Sequence, residues 1–321
     1  MTNTRTNTST ASIQPTTRFM WRLGAATMSV SAGAAILLIP LAERTADFFA
    51  WTIAVPASAA FIGLFYLALA VMAVLALRQP WWAPARAVVV VPAFVFVPLV
   101  LVTTLLHLDK FHLFSGGAAA RAMAWIWLVI YIVTAPAFVL GFRRQRQEPG
   151  GDPPRTAPPP QWARGALGGL AIVLTLEGLA LFVAPSFGTS LWPWALTPLT
   201  ARMIGVTLIS VALLAAAVIQ TGDRITGRIA AIGLLTFGVT ALAVVARYSG
   251  QVIWSRPSAL AYLAVAIALA VVAVAMLPRS GSPRRSTAAI ELAHPPTATG
   301  STATDVIDTT VGPDLSHERK P

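Results

Sequence analysis

Apolar residues are concentrated in eight long runs, and polar residues are concentrated between them. The runs cover 23–42, 55–77, 85–107, 121–142, 166–185, 198–220, 228–247 and 258–278. A bilayer core of about 30 Å needs roughly 20 apolar residues per helix, since each residue rises about 1.5 Å. Each run meets that length, so the pattern predicts an all-α bundle of eight transmembrane helices.

Composition points to lipid as the solvent of these runs. Of the 321 residues, 56% are hydrophobic and 11% are charged, which is more apolar surface than a soluble core of this size would bury. The first run follows Arg18 and Arg22, as in a signal peptide, but it is as long as a full span and no polar domain follows it. We therefore expect a retained helix.

The basic charge indicates an orientation. The chain has 23 Lys and Arg against 12 Asp and Glu, a formal net charge of +11. With a cytoplasmic N-terminus, 17 of the 23 lie inside, and the six outside are Arg44, Lys110, Arg121, Arg202, Arg247 and Arg256. The positive-inside rule then predicts a multi-pass protein of the cell membrane with both termini cytoplasmic. Because orientation accounts for the charge, nucleic acid is not an expected partner.

Polar segments divide the chain into domains. Residues 1–17 and 279–321 have few large apolar side chains, so we expect disordered tails. Residues 143–164 form a basic, proline-rich linker that is expected in the cytoplasm. The linker separates two four-helix transmembrane halves, 18–142 and 165–278.

The two halves resemble each other in sequence. A shift of 142 residues aligns Pro56 with Pro198, Gly63 with Gly205 and Arg86 with Arg228, and a shift of 145 aligns Gly33 with Gly178 and Pro40 with Pro185. Chance matches between apolar sequences are the alternative to an internal repeat. Because each half has an even number of helices, a repeat requires both halves to have the same orientation, related by an axis along the membrane normal.

Tryptophans lie near the ends of the predicted helices, where indole rings favour the membrane–water interface. These residues are Trp21, Trp51, Trp81, Trp82, Trp162, Trp192, Trp194 and Trp254. We therefore expect them to anchor the bundle at its two interfaces.

The segment from Ser190 to Gly205, SLWPWALTPLTARMIG, is the most distinctive in the chain. Thr197 is placed to cap a helix that begins at Pro198, where the missing N–H of proline is harmless. The segment resembles the Trp-rich Leu-Thr-Pro-Leu-Thr-Ala-Arg motif at a helix start in a group of actinobacterial polytopic membrane proteins of unknown activity. The resemblance covers the membrane region and implies a helical membrane bundle, with no activity to carry over.

Glu177 is the one acidic residue deep inside a predicted span, roughly 12 Å from the outer end of its helix. An ionised side chain near mid-bilayer costs about 3 kcal/mol on insertion scales. Glu177 must therefore face protein or water, or hold a proton. Its nearest candidate partner is Arg202, one turn into the next span. An ion pair that fixes the two helices and a site that binds a cation, a proton or a polar solute both fit this pattern.

Helix seven carries a polar stripe at helical spacing, formed by Gly233, Thr236, Thr240 and Arg247. Small and hydroxyl residues at this spacing are typical of close helix packing in membranes. A cavity lining is the alternative interpretation. With Glu177 and Arg202, the residues Thr236, Thr240 and Arg247 make up the candidate intramembrane polar site.

Familiar catalytic and cofactor motifs do not occur. The absence of Cys removes thiolate metal sites and cysteine nucleophiles, and there is no Gly-rich nucleotide loop and no His-Glu-x-x-His pair. His107, Asp109 and His112 cluster in HLDKFH, but five residues separate the histidines and no third strong ligand is evident, so a solvated loop is expected. We therefore expect no metal, no cofactor and no enzymatic activity.

Two functional hypotheses follow from these residues. In the first, the protein binds or transports a small solute or ion within the second helical half, through Glu177 and Arg202. In the second, it is a non-catalytic membrane scaffold that captures cytoplasmic proteins through its tails and linker. A membrane enzyme is a third class, and no motif supports it.

Overall fold

Eight long helices make up the protein in the computed structural model, which describes residues 12–154, 158–220 and 222–277. They are α1 Arg18–Leu38, α2 Pro56–Leu77, α3 Trp82–Leu106, α4 Ala118–Gln145, α5 Gln161–Val183, α6 Pro198–Gln220, α7 Arg224–Arg247 and α8 Pro257–Met276. All eight are long and apolar enough to cross a membrane. The described residues contain no β-strand, so the predicted all-α class and helix count are confirmed. Residues 279–321, predicted as a tail, lie outside the described residues.

Connections alternate between two faces of the bundle, because successive spanning helices run in opposite directions. The linker face carries residues 12–17, 78–81 and 146–154 and the end of α8. The loop face carries residues 39–55, 107–117, 184–197 and 248–256. Short helical turns lie in these loop-face connections, at Ala42–Arg44, Thr45–Phe48, Leu108–Lys110, Pro185–Gly188, Thr189–Leu191 and Ser249–Gln251.

The core lies around α2 and α6. In each of these helices 72% of the most apolar stretch is buried, against 17% to 28% in α1, α4, α5 and α8. Each central helix packs against its predecessor, α1 with α2 and α5 with α6, and also against a helix of the other half, α2 with α7 and α6 with α3. The four inner helices, α2, α3, α6 and α7, therefore join the two halves, and the other four present most of the lipid-facing surface.

The tightest helix crossing joins α5 to α6 at two glycines. A Cβ atom on Gly205 would lie 2.6 Å from the carbonyl oxygen of Gly178 and 2.9 Å from the backbone nitrogen of Phe182. Small residues allow this approach, which is a common basis of helix association in membranes.

Prolines shape the helices in two ways. Pro56 and Pro198 are the first residues of α2 and α6, where a missing N–H costs nothing. Pro92 begins a π-helical turn that extends to Phe96 inside α3. This turn departs from α-helical geometry at a proline, and Pro136 lies inside α4.

The tryptophans predicted to lie at the interfaces divide into an exposed and a buried half. Trp21, Trp81, Trp162 and Trp254 are exposed, whereas Trp51, Trp82, Trp192 and Trp194 are buried. Trp192 and Trp194 pack edge-to-face against each other and against Phe61 of α2. The loop-face connections fold back over the helix ends, so a tryptophan at a helix end can still be covered by protein.

The predicted cap of α6 is confirmed. Helix α6 begins at Pro198, and the Thr197 hydroxyl accepts a hydrogen bond from the backbone nitrogen of Thr200 at 3.3 Å. This bond satisfies one of the first N–H groups of the helix, which have no partner within it.

Residues 12–17 form specific hydrogen bonds, in contrast to the disorder predicted for them, and residues 1–11 of the predicted tail lie outside the described residues. The backbone of Gln14 pairs with Gly151 of the linker, and the backbone of Thr16 pairs with Pro80. The buried side chain of Gln145, at the end of α4, accepts from Thr17 N at 2.9 Å and donates to Pro15 O at 2.7 Å. Polar composition predicted disorder, but backbone hydrogen bonds to the linker and the α2–α3 connection order this stretch.

Candidate functional site

Glu177 lies in α5 between the core and the surface. It is six residues from Val183, which is about 9 Å along the helix from the loop-face end. Its neighbour Gly178 faces α6, and successive helix residues point about 100° apart, so Glu177 lies beside the α6 contact instead of within it. Helices α5 and α8 pack against each other, and the Glu177 carboxyl lies near enough to the phenol of Tyr262 in α8 to interact with it. The side chain therefore lies beside the contact between α5 and α8.

The ion pair expected between Glu177 and Arg202 does not form. Three ion pairs occur among the described residues, at Arg44–Asp47, Arg86–Asp152 and Lys110–Asp109. Glu177 has neither an ion-pair partner nor a hydrogen-bond partner in this part of the chain. The prediction considered the depth of the two residues along their helices, but the direction of each side chain around its helix keeps them apart.

Arg202 instead connects three elements at the loop face. Its Nε donates to the carbonyl oxygen of Phe182 at 3.2 Å, and its Nη1 donates to Nε2 of His107 at 2.9 Å. Phe182 lies in the last turn of α5, where carbonyl groups lack helical partners and a cation is favourable. His107 directly follows α3, so Arg202 links the second half to the first.

The contact with Arg202 defines the tautomer of His107. A guanidinium can only donate, so Nε2 of His107 must accept and its proton must lie on Nδ1. Nδ1 is 3.1 Å from the carbonyl oxygen of Thr103, which accepts that proton. A neutral imidazole therefore joins α6 to the end of α3.

We expect this contact to be a measurable coupling between the halves. In a double-mutant cycle of Arg202→Ala and His107→Ala, the coupling free energy should be about 1 kcal/mol, as for a half-buried, charge-assisted hydrogen bond. The measurement is the free energy of unfolding in detergent micelles. Arg247 is the control, since it is exposed and its one hydrogen bond within the described part of the chain goes to its neighbour Tyr248. A cycle of Arg247→Ala with His107→Ala should give no coupling, and equal values for the two cycles would contradict the assignment.

The polar stripe of α7 uses its hydroxyls within the helix. Thr236 donates to the carbonyl oxygen of Ile232 at 2.8 Å, and Thr240 donates to that of Thr236. Gly233 packs directly against Met72 of α2. Arg247 is exposed at the loop face, over the ring of Tyr248. These contacts favour the helix-packing interpretation, and the structure does not bring Thr236, Thr240 and Arg247 together with Glu177 through any hydrogen bond.

The residues of HLDKFH point to different partners. His112 forms hydrogen bonds with the carbonyl oxygen of Phe49 and the Thr52 hydroxyl. His107 forms hydrogen bonds with the carbonyl oxygen of Thr103 and the guanidinium of Arg202. Asp109 forms an ion pair with Lys110 at 2.8 Å, and this hydrogen bond lowers the pKa of the Asp109 carboxyl. No group of three potential metal ligands occurs in the described parts of the chain.

Sequence reasoning missed an aromatic cluster that includes Tyr262, the residue near Glu177 in α8. Trp192, Trp194, Phe61, Phe237 and Tyr262 form edge-to-face and tilted ring contacts with centroids 5.2–6.3 Å apart. Tyr262 also donates to the carbonyl oxygen of Ala241 at 3.2 Å. A phenol within the last apolar run was the signal for a polar contact there.

Eight helices of this length and hydropathy indicate a multi-pass membrane protein. No family model matches the sequence, and comparisons with curated proteins and with solved structures give no significant match. The resemblance of the Trp-Pro-Trp segment to the actinobacterial group therefore stays a prediction.

Proposed function

We propose that the protein binds a small cation or a cationic solute at Glu177, beside the contact between α5 and α8, and moves it across the membrane without catalysing a reaction. The observation that carries this proposal is the position of a carboxyl group inside a spanning helix with no bonded partner among the described residues. Ionisable residues within spans are rare, and they commonly mark ion and substrate pathways.

Energetics support a ligand for this carboxyl group. A charged side chain at the centre of a bilayer costs about 3 kcal/mol on insertion scales, and such residues are kept in spanning helices mainly where they have a function. Among the described residues, Arg202 was the candidate cation from the protein itself, and it binds His107 and Phe182. A bound cation or a proton from outside the chain therefore remains to neutralise Glu177.

We propose further that the two halves are a parallel internal repeat, because equivalent helices bury equivalent positions. In α2 and α6 the buried positions recur at the predicted shift of 142 residues, as the following pairs illustrate: Met72 and Leu214, Ala73 and Ala215, Ala76 and Val218. In α1 and α5 they recur at 143, which differs from the predicted 145: Ser31 and Leu174, Ala35 and Gly178, Leu38 and Leu181.

Loop contacts and helix packing support the same symmetry. His112 N donates to Ala50 O at 2.9 Å in the first half, and Ile253 N donates to Pro193 O at 2.8 Å in the second. The packing of α2 against α7 corresponds to the packing of α6 against α3. A two-fold axis along the membrane normal would produce these paired contacts.

The repeat places the proposed function in one half. At the shift of 143 residues, the position equivalent to Glu177 in α1 is Ala34. The contact between α1 and α4 therefore lacks a carboxyl group where the contact between α5 and α8 has one. Ala34→Glu offers a direct test of whether position in the fold is enough to create a site.

Glu177→Gln should abolish cation binding and flux, because it removes the charge and keeps the shape of the side chain. Binding is measured by labelling of Glu177 with a hydrophobic carbodiimide, in the presence of Na⁺, K⁺ or tetramethylammonium. One of these cations should protect Glu177 from labelling. Flux of the protecting cation is measured in proteoliposomes and should fall at least tenfold in the variant.

Glu43→Gln is the control, since Glu43 is an exposed carboxyl group on the loop face. It should leave protection and flux unchanged. Labelling that no cation reduces, together with equal flux in Glu177→Gln and the parent protein, would contradict the proposal. That result would favour the non-catalytic scaffold, whose test is loss of captured cytoplasmic proteins after removal of residues 279–321.

We also propose that the protein lies in the cell membrane with its linker face in the cytoplasm. Support comes from the charges, since most Arg residues lie in segments of the linker face and two of the six cations of the loop face, Arg44 and Lys110, are paired with carboxylates. The positive-inside rule counts such residues close to the helix ends.

A further inference from the structure

We propose that a groove on the linker face, between the start of α1 and the end of α2, binds the phosphate headgroup of an anionic phospholipid. The groove has a volume of about 460 Å³. Arg18, Arg22 and Arg78 line it, together with Trp21 and Leu77. This site is separate from Glu177, and it does not depend on the function proposed for Glu177.

The three guanidinium groups of the groove are available to a ligand. Arg18 and Arg22 are four residues apart, so they lie on the same side of α1, and Arg78 directly follows α2. All three side chains are exposed, and none has an ion-pair or hydrogen-bond partner among the described residues. Clustered arginines without a carboxylate repel one another, and a phosphate with several acceptor oxygens relieves that repulsion.

From the arginines toward the membrane centre, the groove passes from charged to aromatic to apolar side chains. A phospholipid passes in the same order from its charged headgroup to its apolar chains. The Trp21 indole is 47% exposed, and its Nε1 donates to the carbonyl oxygen of Leu77 at 3.2 Å. An indole in this position lies at the level of lipid headgroups. Beyond Trp21 and Leu77, toward the membrane centre, a narrow apolar crevice of about 20 Å³ continues past Gly24 and Val88. The crevice is too narrow for an acyl chain, so the chains lie along the lipid-facing surface.

The location favours a lipid over a dissolved phosphate. The groove lies at the ends of two spanning helices, where headgroups are at high local concentration. A well-placed Arg near an anionic membrane surface contributes about fivefold in binding. Three arginines around one groove therefore give a large preference for a headgroup with net negative charge over a zwitterionic one.

The second half provides a matched surface without the site. At the shifts that align the helices, Gln161, Gly165 and Gln220 occupy the positions of Arg18, Arg22 and Arg78. Arg164, at the start of α5, is exposed and lies on the same face of the bundle. It is therefore a control for charge alone.

The test is native mass spectrometry of the delipidated full-length protein in detergent. Phosphatidylglycerol, phosphatidylcholine and inorganic phosphate are added in separate titrations. The parent protein should retain phosphatidylglycerol at least tenfold more strongly than phosphatidylcholine. Arg22→Gln should weaken this retention about fivefold, the combination of Arg18→Gln, Arg22→Gln and Arg78→Gln should reduce it to the phosphatidylcholine level, and Arg164→Gln should leave it unchanged.

Three results would overturn the proposal. The first is equal retention of the two lipids by the parent protein. The second is an equal loss of phosphatidylglycerol retention in Arg164→Gln and Arg22→Gln. The third is displacement of phosphatidylglycerol by inorganic phosphate at similar concentration, which would assign the groove to a soluble anion. If the triple glutamine variant does not fold, lipid retention is compared in the three single glutamine variants and in a variant with Lys at positions 18, 22 and 78. The lysine variant keeps the charge and should retain a preference for phosphatidylglycerol.

Discussion

Trp194→Ala should lower the free energy of unfolding by about 3–5 kcal/mol, the range for large aromatic truncations in a packed core. Trp194 is fully buried, and its ring contacts Phe61, Trp192 and Tyr262. Its Nε1 also donates to the Ser58 hydroxyl at 2.8 Å. The substitution removes the packing between the Trp-Pro-Trp segment and α2, and it leaves a buried hydroxyl without its donor. Reversible unfolding in mixed micelles measures the change.

Trp254 provides the control for Trp194. It is 51% exposed at the same face, and its Nε1 donates to a carbonyl group in its own loop. Trp254→Ala should cost less than about 1 kcal/mol. Trp194→Phe should fall between the two, since the ring stays and the hydrogen bond is lost. If Trp194→Ala and Trp254→Ala lower the free energy of unfolding equally, the buried aromatic cluster does not stabilise the contact between the two halves.

Gly205→Ala should destabilise the protein by about 1–3 kcal/mol, although Ala is a better helix former than Gly. The added methyl group would meet backbone atoms of Gly178 and Phe182, which cannot rotate away as a side chain can. Helices α5 and α6 must then separate, and the Arg202 contact with Phe182 lengthens with them. The loss is measured by the same unfolding experiment.

Gly169→Ala in α5 is the matched control for Gly205→Ala. No atom lies within 4 Å of a Cβ placed on Gly169, so the substitution brings only the gain in helix propensity, up to about 1 kcal/mol. The two variants should therefore change stability in opposite directions. A gain of stability in both would show that α5 and α6 are not in close contact at Gly205.

Helix number and position could be predicted from the sequence because a bilayer imposes a minimum length on every spanning helix. The start of α6 was also predictable, since Thr197 and Pro198 are local signals that need no tertiary contact. The thickness of the membrane fixes where each helix begins and ends along its axis, and the residue types at the helix ends indicate those positions.

Rotation around the helix axis was harder to predict in an apolar sequence. Glu177 and Arg202 lie at compatible depths, yet Gly178 directs α5 toward α6 and leaves Glu177 facing α8. The burial of Trp192 and Trp194 was missed for a related reason, because the sequence does not show that a connecting segment folds inward over the helix ends. The ordering of residues 12–17 depends in part on hydrogen bonds between side chains and backbone groups about 130 positions apart, which composition does not reveal.

The ordered N-terminal stretch has a consequence for biogenesis. Residues 12–17 are synthesised before α1, and their partners lie in two later parts of the chain. Thr16 can pair with Pro80 once α2 has been made, whereas the bonds to Gln145 and Gly151 require four spanning helices to be complete. Docking of this stretch therefore proceeds in two stages, and the second stage joins the start of α1 to the end of α4.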